Sequence, residues 1–328
     1  MSDNATRNSA SEELIDVVLP CYNAAEWIDE FVQGLLTHDN VNWRLIARDD
    51  GSKDGTLALL KGWQEKLGAR MLLLDPDAPK NLGLIGNYDA VLAATTADWV
   101  LTADPDDVWL PARLPLTVAA LKRVEAECGV NVPVAVCTDA MVVDGQLNPV
   151  APSFWRWSKA RPLATPSLPR MAMDSVALGS TMAVNRALLE KALPLPTGAA
   201  YQDWWMALVA VAFGRFVALP EVTIKYRRHG ENATKDPLSV TLGKRLSRLS
   251  NAPAAVRARL DYLLRQAGRQ AGTFATRYEA TLDEANLAAL KRLSALPDAP
   301  VLAKRLWILR HGLWFSSYTK NIGLLMFI

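Results

Sequence analysis

Cysteine is scarce in this chain of 328 residues. There are three, Cys21, Cys128 and Cys137, with no CxxC pair. That odd, scattered set excludes a disulfide framework and a structural zinc knot, and it points to a reducing cytoplasm. No apolar run reaches the roughly eighteen residues that a bilayer span needs. The opening stretch, Met1 to Glu13, lacks the basic-then-apolar order of a secretory leader. A large excess of either charge is also missing. The net charge of +2 gives no general pull on polyanions, and no recognised motif supports a nucleic-acid partner. Repeats and low-complexity tracts are absent, which excludes solenoids and tail-like chains.

What is present is core-forming sequence, 50% hydrophobic and 21% charged, enough for one large or two moderate domains. Charge is unevenly placed. Residues 241–328 hold 14 Lys and Arg against 5 Asp and Glu, a net +9, which leaves −7 on the rest. A basic C-terminal region on an acidic body suits an anionic surface.

The most informative stretch is Ala103-Asp104-Pro105-Asp106-Asp107, three carboxylates in four positions after the apolar Trp99-Val100-Leu101. Such a cluster repels itself unless a cation sits on it, and hard Mg²⁺ or Mn²⁺ prefers oxygen ligands. Read singly, the segment is equally an Asp/Pro surface turn. Its setting decides. Strand patterns at Leu14–Pro20, Trp43–Ala47, Met71–Leu74 and Trp99–Leu101 alternate with helical patterns at 24–36, 56–66 and 86–93. The alternation predicts an α/β fold whose central sheet is mostly parallel and flanked by helices. Ligands of such sheets bind beyond the carboxyl ends of the strands. Pro20-Cys21-Tyr22-Asn23, Asp49-Asp50-Gly51-Ser52 and Asp104-Pro105-Asp106-Asp107 all fall at such ends, so they are expected to converge. A strand follows at Val134–Cys137, then a loop rich in aromatics and proline, and beyond about Val240 the pattern is helical.

In order and spacing, these segments resemble family-2 glycosyltransferases with the GT-A (Rossmann-like) fold. Val18–Asn23 resembles their opening strand, and Asp49-Asp50-Gly51-Ser52-Lys53-Asp54-Gly55-Thr56 their nucleotide-binding loop. Further landmarks are Asn81–Asn87, the DxD-like Asp104–Pro111, Gly179–Asn185, Gln202-Asp203-Trp204-Trp205 and Tyr226-Arg227-Arg228-His229-Gly230. The last two are most similar to bacterial rhamnosyltransferases of surface polysaccharide (O-antigen-like) synthesis, although Pro105 is often Gln there.

The resemblance implies transfer of a sugar, dTDP-rhamnose being the favoured donor and a UDP-hexose the alternative, to a hydroxyl of a lipid-linked or growing glycan. It assigns Pro20, Tyr22, Asn23, Asp50, Asn81, Gly83 and Asp104 to the donor. It gives the Mg²⁺ or Mn²⁺ to Asp106 and His229. Asp203 becomes the general base of an inverting reaction, with Trp204 and Trp205 toward the acceptor sugar. Asp203 also reads as a helix cap, and Phe154, Trp155 and Trp157 as an acceptor platform, a flap or core. A nucleotidyltransferase is disfavoured because Pro20–Asn23 replaces its basic Gly-rich loop. A non-catalytic glycan-binding module is disfavoured by Asp106, Asp203 and His229 occurring together.

The expected organisation is a flexible tail over 1–12, a nucleotide-sugar half over 13–145, an acceptor half over 146–238 and a basic helical region over 239–328. Interrupted apolar and basic residues, from Lys304-Arg305 through Trp314 to Ile328, suit a helix lying in a membrane surface. The resemblance matches this with a polyprenyl-linked acceptor and a peripheral place on the inner face of the cytoplasmic membrane.

Overall fold

The computed structural model describes residues 13–77, 80–229 and 252–311, without the side chains of 252–256 and 311. The expectations for 1–12, for 230–251 and for the chain past 311 lie outside the described residues.

The alternation expected from sequence forms the first half of the sheet. It runs β1 (Ile15–Cys21), α1 (Ile28–Leu36), β2 (Trp43–Asp49), α2 (Thr56–Leu67), β3 (Met71–Leu74), α3 (Gly83–Ala93) and β4 (Trp99–Thr102). β1 and β2 read as continuous apolar runs because both faces are covered. Pro20 does not end β1, which continues to Cys21 beside β2. Proline is tolerated there because β4 pairs only with Ile15–Val18 and has left by that point.

The second half comprises β5 (Val108–Trp109), α4 (Arg113–Cys128), β6 (Val134–Asp144), β7 (Pro149–Ala151), α5 (Phe154–Ser158), α6 (Leu168–Met173), β8 (Met182–Asn185), α7 (Arg186–Ala192), α8 (Gln202–Phe213) and β9 (Arg215–Arg228). The strand order is β3-β2-β1-β4-β8-β6-β9-β5, with β7 on β6. β1 pairs parallel with β2 and β4, and β2 with β3, whereas β8 enters antiparallel between β4 and β6. The sheet is therefore mixed, but its longest ladders, β1–β2 and β6–β9, are parallel as expected. The short β6 expected at Val134–Cys137 is a strand of 11 residues, because β9 runs beside all of it.

One core, with Phe31, Trp43, Trp109 and Leu121, fills the α1, α2 and α4 face. The other, with Tyr88, Trp205, Phe274 and Leu290, lies under α3 and α6–α8 and extends to three C-terminal helices. These are α9 (Ala252–Arg277), α10 (Glu284–Ala295) and α11 (Val301–His311). The loop before α8 is held tightly to α9. Ala200 N donates to Gln270 Oε1 at 2.7 Å, and a Cβ on Gly198 would stand 2.5 Å from Thr273 Oγ1. No described helix is long and apolar enough to cross a membrane.

Candidate active site

The three strand-end segments converge as expected. Asp50 N donates to Cys21 O at 2.9 Å, and Asn87 Nδ2 to the same carbonyl at 3.3 Å, which joins the β1 and β2 ends to α3. The Asp50 carboxylate receives Leu82 N at 2.7 Å, Gly83 N at 2.9 Å and the buried Arg48 guanidinium at 2.8 Å. Asn81 Nδ2 donates to Asp50 O. Gly83, at φ +72°, makes the left-handed turn that opens α3 at this point. Asp49 Oδ2 accepts from Gly51 N and Ser52 N, while its Oδ1 is buried without a partner. Tyr22 (51% exposed) and Asn23 stand out at the rim, Asn23 in the left-handed region at φ +49°. Of the expected donor residues, Asp50, Asn81 and Gly83 are thus joined by hydrogen bonds and Tyr22 and Asn23 stand at the rim, whereas Pro20 is buried in β1.

Past β4 the chain carries Asp104, Asp106 and Asp107, whose carboxylate oxygens lie within 4.8 Å of one another. Tyr88 Oη, on α3, donates to Asp104 Oδ1 at 2.5 Å. Burial, and then the adjacent Asp106, push the Asp104 carboxyl up to about 7, with Asp203 adding to the repulsion. Asp107 is raised well above its ordinary range by burial and then by Asp106 and Asp104. His229, from the far end of β9, brings Nε2 to 2.9 Å from Asp106 Oδ2. A cavity of about 500 Å³, bounded in part by Asn23, Trp27, Asp54 and Gln146, opens beside His229.

Asp203 lies in the first turn of α8 and accepts the Trp204 backbone N–H at 2.6 Å on Oδ1. It thus satisfies an N–H at the helix start, as the cap reading expects, and lies near Asp104 of the acidic loop. Burial pushes its carboxyl up to about 6, against the backbone N–H groups of Trp204 and Gly179, which favour the ionised form. Tyr88 feels Asp104, Asp203 and Asp106 together, which brings the base candidate to the same place as the acidic loop. A Cβ on Gly179 would come 2.8 Å from Gln202 Nε2 and 3.5 Å from Asp203 Oδ2, so this glycine provides the clearance beneath the carboxylate.

Residues 16–184 match the family model described as Glycosyl transferase family 2. The chain belongs to that family. EpsE of Bacillus subtilis (strain 168) is 31% identical over 109 residues, covering 33% of this chain and 38% of EpsE. The Escherichia coli UDP-Glc:alpha-D-GlcNAc-diphosphoundecaprenol beta-1,3-glucosyltransferase WfgD is 25% identical over 110 residues, 34% of this chain and 42% of WfgD. Both matches span less than half of the relative. Over nearly the whole length, the fold is similar to S. aureus TarS 1-349 crystallised with UDP-GlcNAc, at a TM-score of 0.53 and 16% identity, covering 95% of this chain and 89% of that one.

In a family-2 glycosyltransferase the acidic loop is the expected cation site, and the donor set here fits one. The carboxyls of Asp104 and Asp107 are held above their ordinary range by burial and mutual repulsion, a condition that a divalent cation relieves. Asp107 is partly engaged, its Oδ1 accepting Arg227 N at 3.0 Å. Asp106 and His229 would hold the cation, with Asp104 beside them.

Trp204 and Trp205 depart from expectation. Trp204 is 8% exposed, with Nε1 donating to Met171 O at 2.6 Å. Trp205 is fully buried, donates to Ala192 O and stacks on Tyr278. Neither presents a face to an acceptor; helix α8 is covered by α6 and α9, and its indoles are core. Trp155 is also core, whereas Phe154 meets Tyr226 edge-on and the Arg228 guanidinium stands over the Trp157 ring, 4.7 Å from its centre.

Sequence reasoning left Arg227, Tyr88 and Arg113 without roles. Arg227 Nε donates to Asp106 O at 2.8 Å and Nη1 to Gly145 O at 2.8 Å, and Nη2 pairs with Glu30 on α1. Its guanidinium lies 4.4 Å from the Trp27 ring, and Trp27 also packs on His229. One cation thus fastens the acidic loop, His229 and α1. Arg113, buried under the loop, donates to Thr181 O, Ser180 O and Met182 O. An arginine inside the Tyr-Arg-Arg-His-Gly landmark was a usable signal for Arg227. Tyr88 and Arg113 sit in ordinary helical patterns that carry none.

Proposed function

We propose that this family-2 glycosyltransferase moves a sugar from a pyrimidine nucleoside diphosphate to a hydroxyl of a lipid-linked or growing glycan, with inversion at the anomeric carbon. The observation that carries the reading is Asp203, a carboxyl pushed up to about 6 beside the Asp104, Asp106 and His229 cluster. A base for an alcohol works best with an affinity near the working pH. Asp203 takes the acceptor proton on Oδ2, since Oδ1 is held by Trp204 N. As the new oxygen–carbon bond forms, the bond to the diphosphate breaks and its electron pair leaves with the diphosphate. A cation held by Asp106 and His229 supplies positive charge to that leaving group. Tyr88 orients Asp104 toward the donor, and the Tyr22–Asn23 rim and the Asp49–Asp50 turn receive the base and ribose.

WfgD is named for UDP-Glc and TarS was crystallised with UDP-GlcNAc, which favours a UDP-hexose. The dTDP-rhamnose expected from the sequence remains the competing donor. The WfgD name also supports a polyprenyl diphosphate-linked acceptor, and a peripheral position on the inner membrane face goes with that reading. A thermal-shift screen of nucleotide sugars with Mn²⁺, followed by nucleoside diphosphate release, tests the reading. One donor is expected to give both signals, and excess chelator is expected to abolish release. Undiminished turnover in chelator defeats the cation assignment, and no shift with any pyrimidine nucleotide sugar defeats the donor class.

A further inference from the structure

Among the described residues, helix α11 is docked through one side. Ile308 is 1% exposed and belongs to the core that also holds Trp205, Phe274 and Leu290. On its outer side, Leu302, Leu306 and Leu309 are 68%, 59% and 54% exposed. At 3.6 residues per turn these leucines project within about 60° of one another, with Arg305 and Arg310 each about 70° from the middle of the stripe, on opposite sides. A narrow apolar stripe with a guanidinium on either flank is the arrangement of a helix that lies in a membrane surface, leucines among the acyl chains and cations at the headgroups. A globular protein face of this kind would leave three large leucines in water with no compensating contact.

We propose that this face of α11 seats the enzyme on an anionic lipid bilayer. The choice of occupant rests on charge. From residue 299 to the last residue, the sequence holds Lys304, Arg305, Arg310 and Lys320 and not one Asp or Glu. Nothing in that segment repels phosphatidylglycerol-like headgroups, and each cation near such a surface strengthens binding about fivefold. Because Ile308 shares a core with Trp205 on α8, a bilayer bound at the leucine stripe is coupled through packed side chains to the helix that carries Asp203. The inference rests on the lipid-linked acceptor reading and adds the docking face and the headgroup charge that it selects.

The test is co-sedimentation of the full chain with phosphatidylcholine vesicles and with phosphatidylglycerol–phosphatidylcholine vesicles, beside donor hydrolysis in solution without vesicles. Wild type is expected to bind only the anionic vesicles and to release from them in high salt. The triple variant L302E/L306E/L309E is expected to bind at least about tenfold more weakly, and R305Q/R310Q to show most of its loss on anionic vesicles, with donor hydrolysis unchanged in both. The milder Leu306→Gln, with its thermal melt, guards against misfolding of the triple variant and should weaken binding about fivefold. Equal binding to neutral vesicles, or binding by both leucine variants equal to wild type, overturns the proposal. So does light scattering that shows a wild-type dimer lost in the leucine variants, because the stripe then faces a second copy. Vesicle binding that persists in a protein hydrolysing no nucleotide sugar would instead overturn the transferase reading and leave the docking face standing.

Discussion

Asp50 and Asp104 follow strands of one sheet with a single strand between them, yet their surroundings are opposed. Asp50 receives two backbone N–H groups and a buried guanidinium, all at hydrogen-bonding distance. Asp104 receives one phenol and faces other carboxyls, and burial with that repulsion holds it at about 7. The donor end is thus a finished set of hydrogen bonds, whereas the acidic end is complete only when charge is brought to it. Preorganisation suits recognition of a base and ribose. Uncompensated negative charge suits a cation and a diphosphate whose own charge changes during the reaction.

Four measurements sharpen or break this contrast. The largest effect is expected for Asp203→Asn. The isosteric amide keeps the α8 start but accepts no proton, so transfer should fall by about 10²–10⁴-fold with donor affinity retained. Near-normal single-turnover transfer would remove Asp203 as the base. Next comes Trp205→Ala. If the indole is core, as its complete burial indicates, unfolding free energy drops by about 3–5 kcal/mol, read from denaturant midpoints, while the acceptor KM of the remaining folded enzyme is unchanged. A large KM change at normal stability would restore its acceptor role.

Arg227→Ala should lower transfer by about 10–100-fold, because Asp106 and His229 lose the group that fastens their backbone, as for partners behind metal ligands generally. Mn²⁺ affinity, followed by electron paramagnetic resonance, should weaken in parallel, and nucleotide affinity measured without metal should hold. Loss confined to nucleotide affinity would show that the two ends are not separate. The smallest effect is in pH. Asp203 at about 6 must be ionised to accept a proton, so the rate should be level above that value. It should fall about tenfold per unit as pH drops below it. An acid limb near 4 would mean that burial does not hold this carboxyl up in the working enzyme.

The parallel half of the fold was legible because buried parallel strands leave continuous apolar runs, and Met71–Leu74 matches the structure residue for residue. The antiparallel entry of β8 was not, since four buried residues, Met182–Asn185, look alike in either direction. Among the site residues, Asp106 and His229 were legible through their landmarks and meet at 2.9 Å across 123 positions. The tryptophans after Asp203 misled because an indole on a helix has the same letter whether it meets a sugar or another helix. The partner that decides, α9, lies some 50 residues on. Arg113 and Tyr88 act through backbone carbonyls and a buried carboxyl, contacts that no local spacing encodes.

Strand β9 has a practical consequence for recombining relatives. It lies alongside β6 from Val134 to Asp144, borders β5 and sends Arg227 across to Glu30 near the start of the chain. A crossover placed after Asp144, the natural seam by sequence, would therefore cut through a continuous ladder and pair each parent's strand with a stranger. Shuffled enzymes that exchange acceptor preference should survive only when β5, β6 and β9 travel together with their matching residue at position 30.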